Sequence, residues 1–367
     1  MNANFGWPSS AAAMPSSKSE TFSETGQVVT CPICLHDIHD WDALQQWRWD
    51  ADLEEFVKLS ELAPDLNQTQ RARMMRGAYV RCPTPRTDVL GEHYLPANYG
   101  RFGPPVLLGL IGMTRSGKSH LLASMVGAIE RGELQEYGIT SRPIDHATHQ
   151  KFLAERVDPL LNGDRVLPGT QEGIVTFADA FLMSYEGGPE RAVALFDVAG
   201  GDLARAGDTK YFLEIVDGLF FVIDAENIHA RRLGDETFNN AIDVVAGRNR
   251  LDQVCAAIVL TKADKVRFEE PVTRWLRSDS AVLDSVEFLL ESADVYSYLD
   301  QKGALRLADP YRMCDKTTLH VASSTGGESE GDVYPRGVTP RRVLRPLVAM
   351  LAMTGVLTGP EAERVGI

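Results

Sequence analysis

From about residue 105 onward the chain alternates between two hydrophobic periods. Short, continuous apolar runs read as buried strands, and stretches with 3.6-residue spacing read as helices. "PPVLLGLIG" is bounded by prolines and a glycine, and "SHLLASMVGAIERG" follows it with helical spacing and a stop at Gly132. "GIVTFADAFLMS" and "RAVALFDVAG" lie close enough to pair as a hairpin, and "GLFFVIDA", "VCAAIVLTKAD" and "TLHVASS" follow, separated by helical segments. The last helix is expected over "TPRRVLRPLVAMLAMTG", opened by Thr-Pro and closed by Gly355. This alternation predicts an α/β fold, a doubly wound and mostly parallel sheet with helices on both faces.

The preceding segment has a different texture. Residues 1–29 are rich in Ser, Ala, Gly and Pro and are expected to form a disordered tail. Residues 30–104 hold "CPIC", a tryptophan-rich stretch read as helical (Trp41, Trp47, Trp49, Phe56, Leu59), then "YVRCPTP" and "HYLP". They are expected to form a small module ahead of the main domain, residues 105–367. There is no internal repeat.

Composition narrows the classes of partner. With 367 residues the chain can bury a sizeable core, and 44% hydrophobic content suits an ordinary globule. A net charge of −14 argues against a general nucleic-acid or anionic-membrane binder, because both are negative themselves. "PLVAMLAMTGVL" is too short to span a bilayer and reads as a core-facing helix. Five scattered cysteines and an N-terminus without a charged-then-apolar leader point to a reduced, cytoplasmic protein.

The candidate chemistry begins after the first strong strand. Gly112 and Gly117 bracket four residues, with Lys118 and Ser119 directly behind, which is the G-x-x-x-x-G-K-[ST] spacing of a P-loop. Glycines let successive backbone N–H groups turn inward onto phosphate oxygens. Lys118 would reach the β- and γ-phosphates, Ser119 would ligate Mg²⁺, and the helix N-terminus would face the same anion. Gly112, Thr114, Arg115, Ser116, Gly117, Lys118, Ser119 and His120 are the candidate phosphate-side residues. Arg115 reads either as a solvated loop cation or as an arginine finger supplied in cis.

In a doubly wound sheet, ligands bind outside the carboxyl ends of the strands. Three further runs end in informative loops: Asp197-Val198-Ala199-Gly200, Thr261-Lys262-Ala263-Asp264 and Ala322-Ser323-Ser324. The ordered series GMTRSGKS, DVAG, TKAD, ASS over residues 105–355 resembles the motifs of P-loop GTPases of the translation-factor and small-GTPase class. The resemblance implies that Asp197 holds Mg²⁺ and that Gly200 meets the γ-phosphate. It implies that Asp264 accepts from guanine N1–H and the exocyclic amine, that Thr261 and the Lys262 stem complete the base reader, and that Ser323 and Ser324 brace the base, the backbone near Ser323 meeting its carbonyl oxygen. Guanine offers two adjacent donors that adenine lacks, and one carboxylate accepts both.

The same resemblance calls for a threonine closing over Mg²⁺ before the strand that leads to DVAG, and Thr170 in "LPGTQEG" is the candidate. "IDHATHQKFLAERVDPLL" puts an extra helix in that switch region. Many such enzymes carry a water-orienting Gln or His just after D-x-x-G, whereas here Gly201 and Asp202 follow. "GKSHLLASM" and "LFDVAGGDL" are similar, more narrowly, to bacterial double-GTPase-type families of conflict systems. That likeness implies a protein partner or effector and a role in an effector or immunity complex. The expectation is therefore a Mg²⁺-dependent switch that binds GTP and GDP and hydrolyses GTP. An ATPase of another P-loop class and a nucleotide-locked scaffold remain as alternatives.

Cys31-Pro-Ile-Cys34 has the knuckle spacing of a zinc site, but a second C-x-x-C is absent. Cys82 supplies a third thiol, and His93 is favoured over His36 and His39 as the fourth ligand, giving a zinc-ribbon-like module with a structural ion. The alternatives are a reduced, buried cysteine pair and a ribbon whose metal has been lost. Cys255, within a strand pattern, and Cys314, near a loop, read as packing residues.

Overall fold

The computed structural model describes residues 28–50, 53, 55–59, 77–83, 92–113, 115–169, 175–198, 207–231, 237–278 and 280–367. Thr114, Thr170, Gly200, Gly201, Asp202 and residues 1–27 of the expected tail lie outside the described residues.

The N-terminal module is built of strands. β1 (Val29–Thr30) and β2 (Asp37–Ile38) form a small hairpin whose first strand begins one residue ahead of the expected boundary, with Val29 fully buried. β3 (Gln46–Asp50), β4 (Glu55–Lys58), β5 (Tyr79–Arg81) and β6 (Tyr94–Pro96) form an antiparallel sheet in the order β4-β3-β5-β6. Trp47, Trp49 and Phe56 of the tryptophan-rich stretch are thus on strands rather than in the expected helix, while Trp41 sits in a single 3₁₀ turn, Trp41–Ala43. Trp47 and Trp49 alternate with Arg48, a period of two, and the register sets Trp49 opposite Phe56 and Trp47 opposite Tyr79. Cross-strand aromatic pairs of this kind are what stabilise a two-sided sheet. Phe56 also stacks on Tyr94 with ring centroids 3.8 Å apart.

The main sheet has seven strands in the order β13-β12-β11-β7-β10-β9-β8. They are β7 (Val106–Gly112), β8 (Ile139–Pro143), β9 (Val175–Tyr185), β10 (Arg191–Val198), β11 (Gly218–Asp224), β12 (Cys255–Thr261) and β13 (Thr317–Val321). Strands β13, β12, β11, β7 and β10 are mutually parallel, while β9 is antiparallel to both β10 and β8. Each apolar run of the sequence is one of these strands. β7, β11, β12 and β13 are buried at every position, so their hydrophobic residues are continuous and do not alternate.

Helices cover both faces. α1 (Lys118–Glu130) enters the core that holds Leu108 and Leu110 of β7. α2 (His146–Phe152) lies in the segment between β8 and β9, where an additional helix was expected. α3 (Gly207–Ile215) and α4 (Thr237–Gly247) place Phe212, Ile242 and Val245 in the other core, with Leu107 and Ile111. That core is continuous with the module's Val29, Trp41, Val80 and Leu95. A second bridge to the module is the Tyr79 hydroxyl, which donates to Asp145 Oδ1 at 2.8 Å just ahead of α2.

α5 (Ser285–Gln301) closes the edge of the sheet at β13. Leu319 N donates to Ser292 Oγ and Val321 N to Glu291 Oε1, both at 2.9 Å, and Thr317 N donates to Gly366 O at 2.9 Å. An edge covered this way cannot template pairing with another chain. The last long helix, α6 (Arg345–Met353), begins later than its Thr-Pro signal predicts. Thr339–Arg341 run beside Thr325 and Ser323 as extended backbone, Arg342 takes φ 58°, and Pro346 occupies the first turn instead. A short helix, Pro360–Glu363, follows it. A mostly parallel seven-stranded sheet, sandwiched between helices and with a P-loop between its central strand and α1, fits a P-loop GTPase fold. No helix among the described residues is long and apolar enough to cross a membrane.

Candidate functional site

The parallel strands bring their carboxyl ends to one edge, and the expected loops meet there. β7 is central, with β10 on one side and β11 on the other, so Asp197 pairs with Leu110 and Val222 with Gly112. The turn after β7 has little room at its first glycine. A Cβ on Gly112 would lie 2.5 Å from Val222 O and 2.7 Å from Ser116 Oγ. Gly117 caps α1 with φ 92°, a conformation that strains any other residue.

Lys118 is buried, 6% exposed, and its ammonium donates to Gly112 O at 2.7 Å and Met113 O at 3.2 Å. The charge is held over the loop by two backbone carbonyls. Ser119 Oγ donates to Asp197 Oδ2 at 2.8 Å. These two hard oxygens, one from the first turn of α1 and one from the end of β10, are the donor type that Mg²⁺ takes. Arg115 has φ 65° and is exposed at the loop tip.

Thr261 serves as a brace. Its buried hydroxyl lies 2.6 Å from Ser116 O and 2.8 Å from Ile223 O, so β12 is tied both to the P-loop and to β11. Lys262 takes φ 51°, and its ammonium pairs with Asp224 Oδ2 at 2.6 Å. Asp264 is 9% exposed and accepts from Ser323 Oγ at 2.5 Å. Burial pushes its carboxyl pKa up, while the Ser323 hydrogen bond opposes that rise.

Ser323 is fixed by backbone pairing with Arg341. Its backbone N–H donates to Arg341 O at 3.0 Å, and Arg341 N donates back to Ser323 O at 2.7 Å. That N–H is therefore engaged by the bridge, and the side chain acts by positioning Asp264. Beyond Ser323, the start of this loop faces the cavity through Ser324, Thr325 and Gly327. Ser124 of α1 fixes the loop by donating to Ser324 O at 3.0 Å.

A cavity of about 560 Å³ joins the P-loop residues Arg115–His120 to Thr261, Lys262 and Asp264. That size suits a small-molecule ligand. Ser116 Oγ and Ser324 Oγ on its wall are buried without a hydrogen-bond partner among the described residues. The cavity is roofed by Val166–Gly169, the strap that runs directly into Thr170, and by Tyr334. His120 Nε2 accepts from Leu167 N at 3.2 Å and so ties the strap to α1. Burial, aided by the Lys262 charge, pushes the His120 pKa down to about 4, which keeps that nitrogen a neutral acceptor.

Asp224, Tyr334 and Lys265 were not singled out by sequence reasoning. Asp224 had a signal, an acidic residue ending the apolar run "GLFFVIDA", as Asp197 ends its own run. Tyr334 had none, since it stands in an irregular loop.

Cys31, Cys34, Cys82 and His93 converge, with their ligand atoms all within 4.8 Å of one another. Cys31 and Cys34 lie in the turn after β1, Cys82 directly follows β5, and His93 directly precedes β6. Cys34 Sγ is 3.7 Å from Cys82 Sγ, and Cys31 Sγ is 3.3 Å from His93 Nε2. A tetrahedral ion with Zn–S bonds of about 2.3 Å would separate its sulfurs by about 3.8 Å. The donor set and its spacing fit zinc. His36 and His39 are not in the cluster. Cys255 and Cys314 are buried elsewhere.

No protein-family model and no curated protein matches the chain. Among solved structures, the bacterial selenocysteine-specific elongation factor EF-Sec aligns with a TM-score of 0.29 and 13% identity, over 59% of this chain and 25% of that one. Sup35 complexed with GDP aligns at 0.27 and 15%, over 64% and 40%. A GTP-binding protein from the hyperthermophilic archaeon Sulfolobus solfataricus, in complex with GDP, aligns at 0.30 and 14%, over 60% and 47%. This chain spans less than half the length of each. At such scores the likeness adds nothing to what the strand order and the site themselves provide.

Proposed function

We propose that the chain is a Mg²⁺-dependent guanine-nucleotide switch that binds GTP and GDP and hydrolyses GTP to GDP and phosphate. The observation that carries this reading is a single cavity joining Lys118 and Ser119, with Asp197 in hydrogen-bond contact, to Lys262 and Asp264. Triphosphate chemistry and a carboxylate suited to two adjacent ring donors meet in one space. Mg²⁺, when bound, would neutralise charge on the phosphates, and Ser119 and Asp197 would hold it, with Thr170 as the residue that closes over it. Gly200 would offer its N–H to the γ-phosphate. Lys118 stabilises charge on the bridging and terminal oxygens, and Thr261 keeps the loop that presents those N–H groups in register with β12.

Gly201, where many enzymes of this class carry a water-orienting side chain, favours slow turnover or turnover that needs a partner. A nucleotide-locked scaffold is therefore the second reading. Cys31, Cys34, Cys82 and His93 are proposed to hold a structural zinc, since four protein ligands leave no open position. A cytoplasmic location rests on the scattered cysteines, and a protein partner and a role in a bacterial effector or immunity complex rest on the sequence resemblance. The nucleotide that leaves the purified, heat-denatured protein tests the main reading. Guanine nucleotide supports it, and adenine nucleotide alone overturns it in favour of another P-loop class.

A further inference from the structure

One wall of the cavity belongs to none of the recognised motifs. It consists of His120, Leu167 and Tyr334, and Tyr334 comes from the long loop after β13. Backbone bonds fix that tyrosine in place. Tyr334 N donates to Asp164 O at 2.7 Å, Gly337 N donates to Tyr334 O at 3.0 Å, and Val338 N donates to Asp164 Oδ1 at 2.8 Å. The tyrosine ring meets the His120 ring edge-on, with centroids 6.3 Å apart and planes at 79°. From the same loop, Glu328 pairs with Lys265 at 2.9 Å, which draws the loop over the Asp264 end of the cavity. Burial, with the nearby Asp264 charge adding to it, pushes the Tyr334 hydroxyl pKa up, so the ring stays a neutral phenol beside the carboxylate.

An aromatic ring held beside a carboxylate that accepts ring N–H groups is suited to a flat, partly apolar ligand. Phosphates have no use for such a wall, whereas a nucleobase has a π face that needs one. We infer that Tyr334, backed by His120, is a nucleobase-contacting residue and supplies the aromatic wall against which the purine of the bound nucleotide packs. The inference rests on the guanine-nucleotide reading only for the identity of the base. Tyr334 also packs with Leu167, Leu160 and Val338, so a purely structural role, holding the strap, is the competing explanation.

The test is calorimetric titration of the full chain, in Mg²⁺, with GDP, ADP and inorganic tripolyphosphate, comparing wild type with Tyr334→Phe, Tyr334→Leu and Tyr334→Ala. Loss of a base stack is expected to weaken GDP about tenfold or more in the Ala and Leu variants, with Phe within about twofold of wild type. Tripolyphosphate affinity should be the same in all four. Tyr334→Leu keeps apolar bulk against Leu167, so it carries the test if the Ala variant does not fold. Unchanged GDP affinity in Tyr334→Leu overturns the inference, and so does an equal loss for GDP and tripolyphosphate, which would assign Tyr334 to strap packing. A wild type that binds ADP and not GDP overturns the guanine reading alone, and the same comparison made with ADP then decides on Tyr334. A wild type that binds neither nucleotide overturns both.

Discussion

Ser119 Oγ and Asp197 Oδ2, 78 residues apart in sequence, stand 2.8 Å apart in the fold. The contact follows from the parallel pairing of β10 with β7, which brings the end of one strand beside the first turn after the other. The two residues form one unit. The expected outcome is that Ser119→Ala and Asp197→Asn each remove the Mg²⁺-dependent part of nucleotide affinity. Loss of a hydrogen bond or ligand to a charged group costs about 1.5–3 kcal/mol, or about tenfold to a hundredfold. Binding of a fluorescent GDP analogue with Mg²⁺ and with EDTA checks this, and the two conditions should converge in both variants. A variant that keeps its full response to Mg²⁺ would place the ion elsewhere.

The cluster of Cys31, Cys34, Cys82 and His93 brings together two distant parts of the module, the turn after β1 and the β5–β6 pair. Metal analysis of protein purified without added metal is expected to give about one zinc per chain, and Cys82→Ser is expected to lose it. A structural zinc contributes to folding directly. The variant should therefore unfold at lower temperature than wild type, while nucleotide binding in the folded protein persists. Full stability in metal-free protein would mean that Val29, Trp41, Val80 and Leu95 hold the module by packing alone.

His120 gives the protein a predictable acid sensitivity. In the native state its pKa is pushed down to about 4 from an ordinary value of 6.5, first by burial and then by the Lys262 charge. Between those values the unfolded chain binds a proton that the native chain refuses, so stability falls as pH falls from 6.5 toward 4. The loss is at most about 3 kcal/mol, reached near the lower value. His120→Gln keeps an acceptor for Leu167 N and cannot titrate. Its urea unfolding free energy should decline less steeply than that of wild type across this range. Identical slopes would place the acid sensitivity in other groups.

How far the molecule could be read from its sequence depended on burial and on distance along the chain. β7, β10, β11 and β12 lie in the interior of the sheet, so their residues form unbroken apolar runs that no helix of ordinary amphipathicity shows. α1 was legible because its period and its Gly132 stop agree. Trp47 and Trp49 misled because their alternation lasts only five residues before the strand ends, too short to separate period two from a helical face. The start of α6 was misplaced because Thr339 and Pro340 carry a genuine start signal, while pairing of Arg341 with Ser323 draws that stretch into extended backbone. The C-x-x-C turn was legible from spacing, whereas the approach of Cys82 and His93 depends on tertiary packing. The strap at Val166–Gly169 and the loop bearing Tyr334 have no periodicity at all. Their place is set by bonds to Asp164 and His120 from residues far away in sequence.

The base reader gives the sharpest distinction between the competing functions. Asp264 Oδ1 already accepts from Ser323 Oγ at 2.5 Å, but a carboxylate has about four lone-pair sites, so two ring donors can still be taken. Asp264→Asn keeps one oxygen and puts an N–H₂ where the other stood. With Ser323 donating to the remaining oxygen, the amide nitrogen faces one of guanine's donors and repels it. A buried donor left unpaired costs about 1–3 kcal/mol, and more when the lost acceptor was charged, which is a loss of about tenfold to a hundredfold or greater in GTP affinity. Xanthine carries a carbonyl where guanine carries its amine, and the amide can donate to it. The variant is therefore expected to weaken GTP, gain XTP, and leave ATP weak in both forms. Competition of GTP, XTP and ATP against a fluorescent nucleotide measures all three. A wild type that prefers ATP, or a variant that keeps its preference for GTP, would show that Asp264 serves only to fix Ser323 and the loop after β13. The cavity would then belong to a P-loop enzyme that selects its base by other groups.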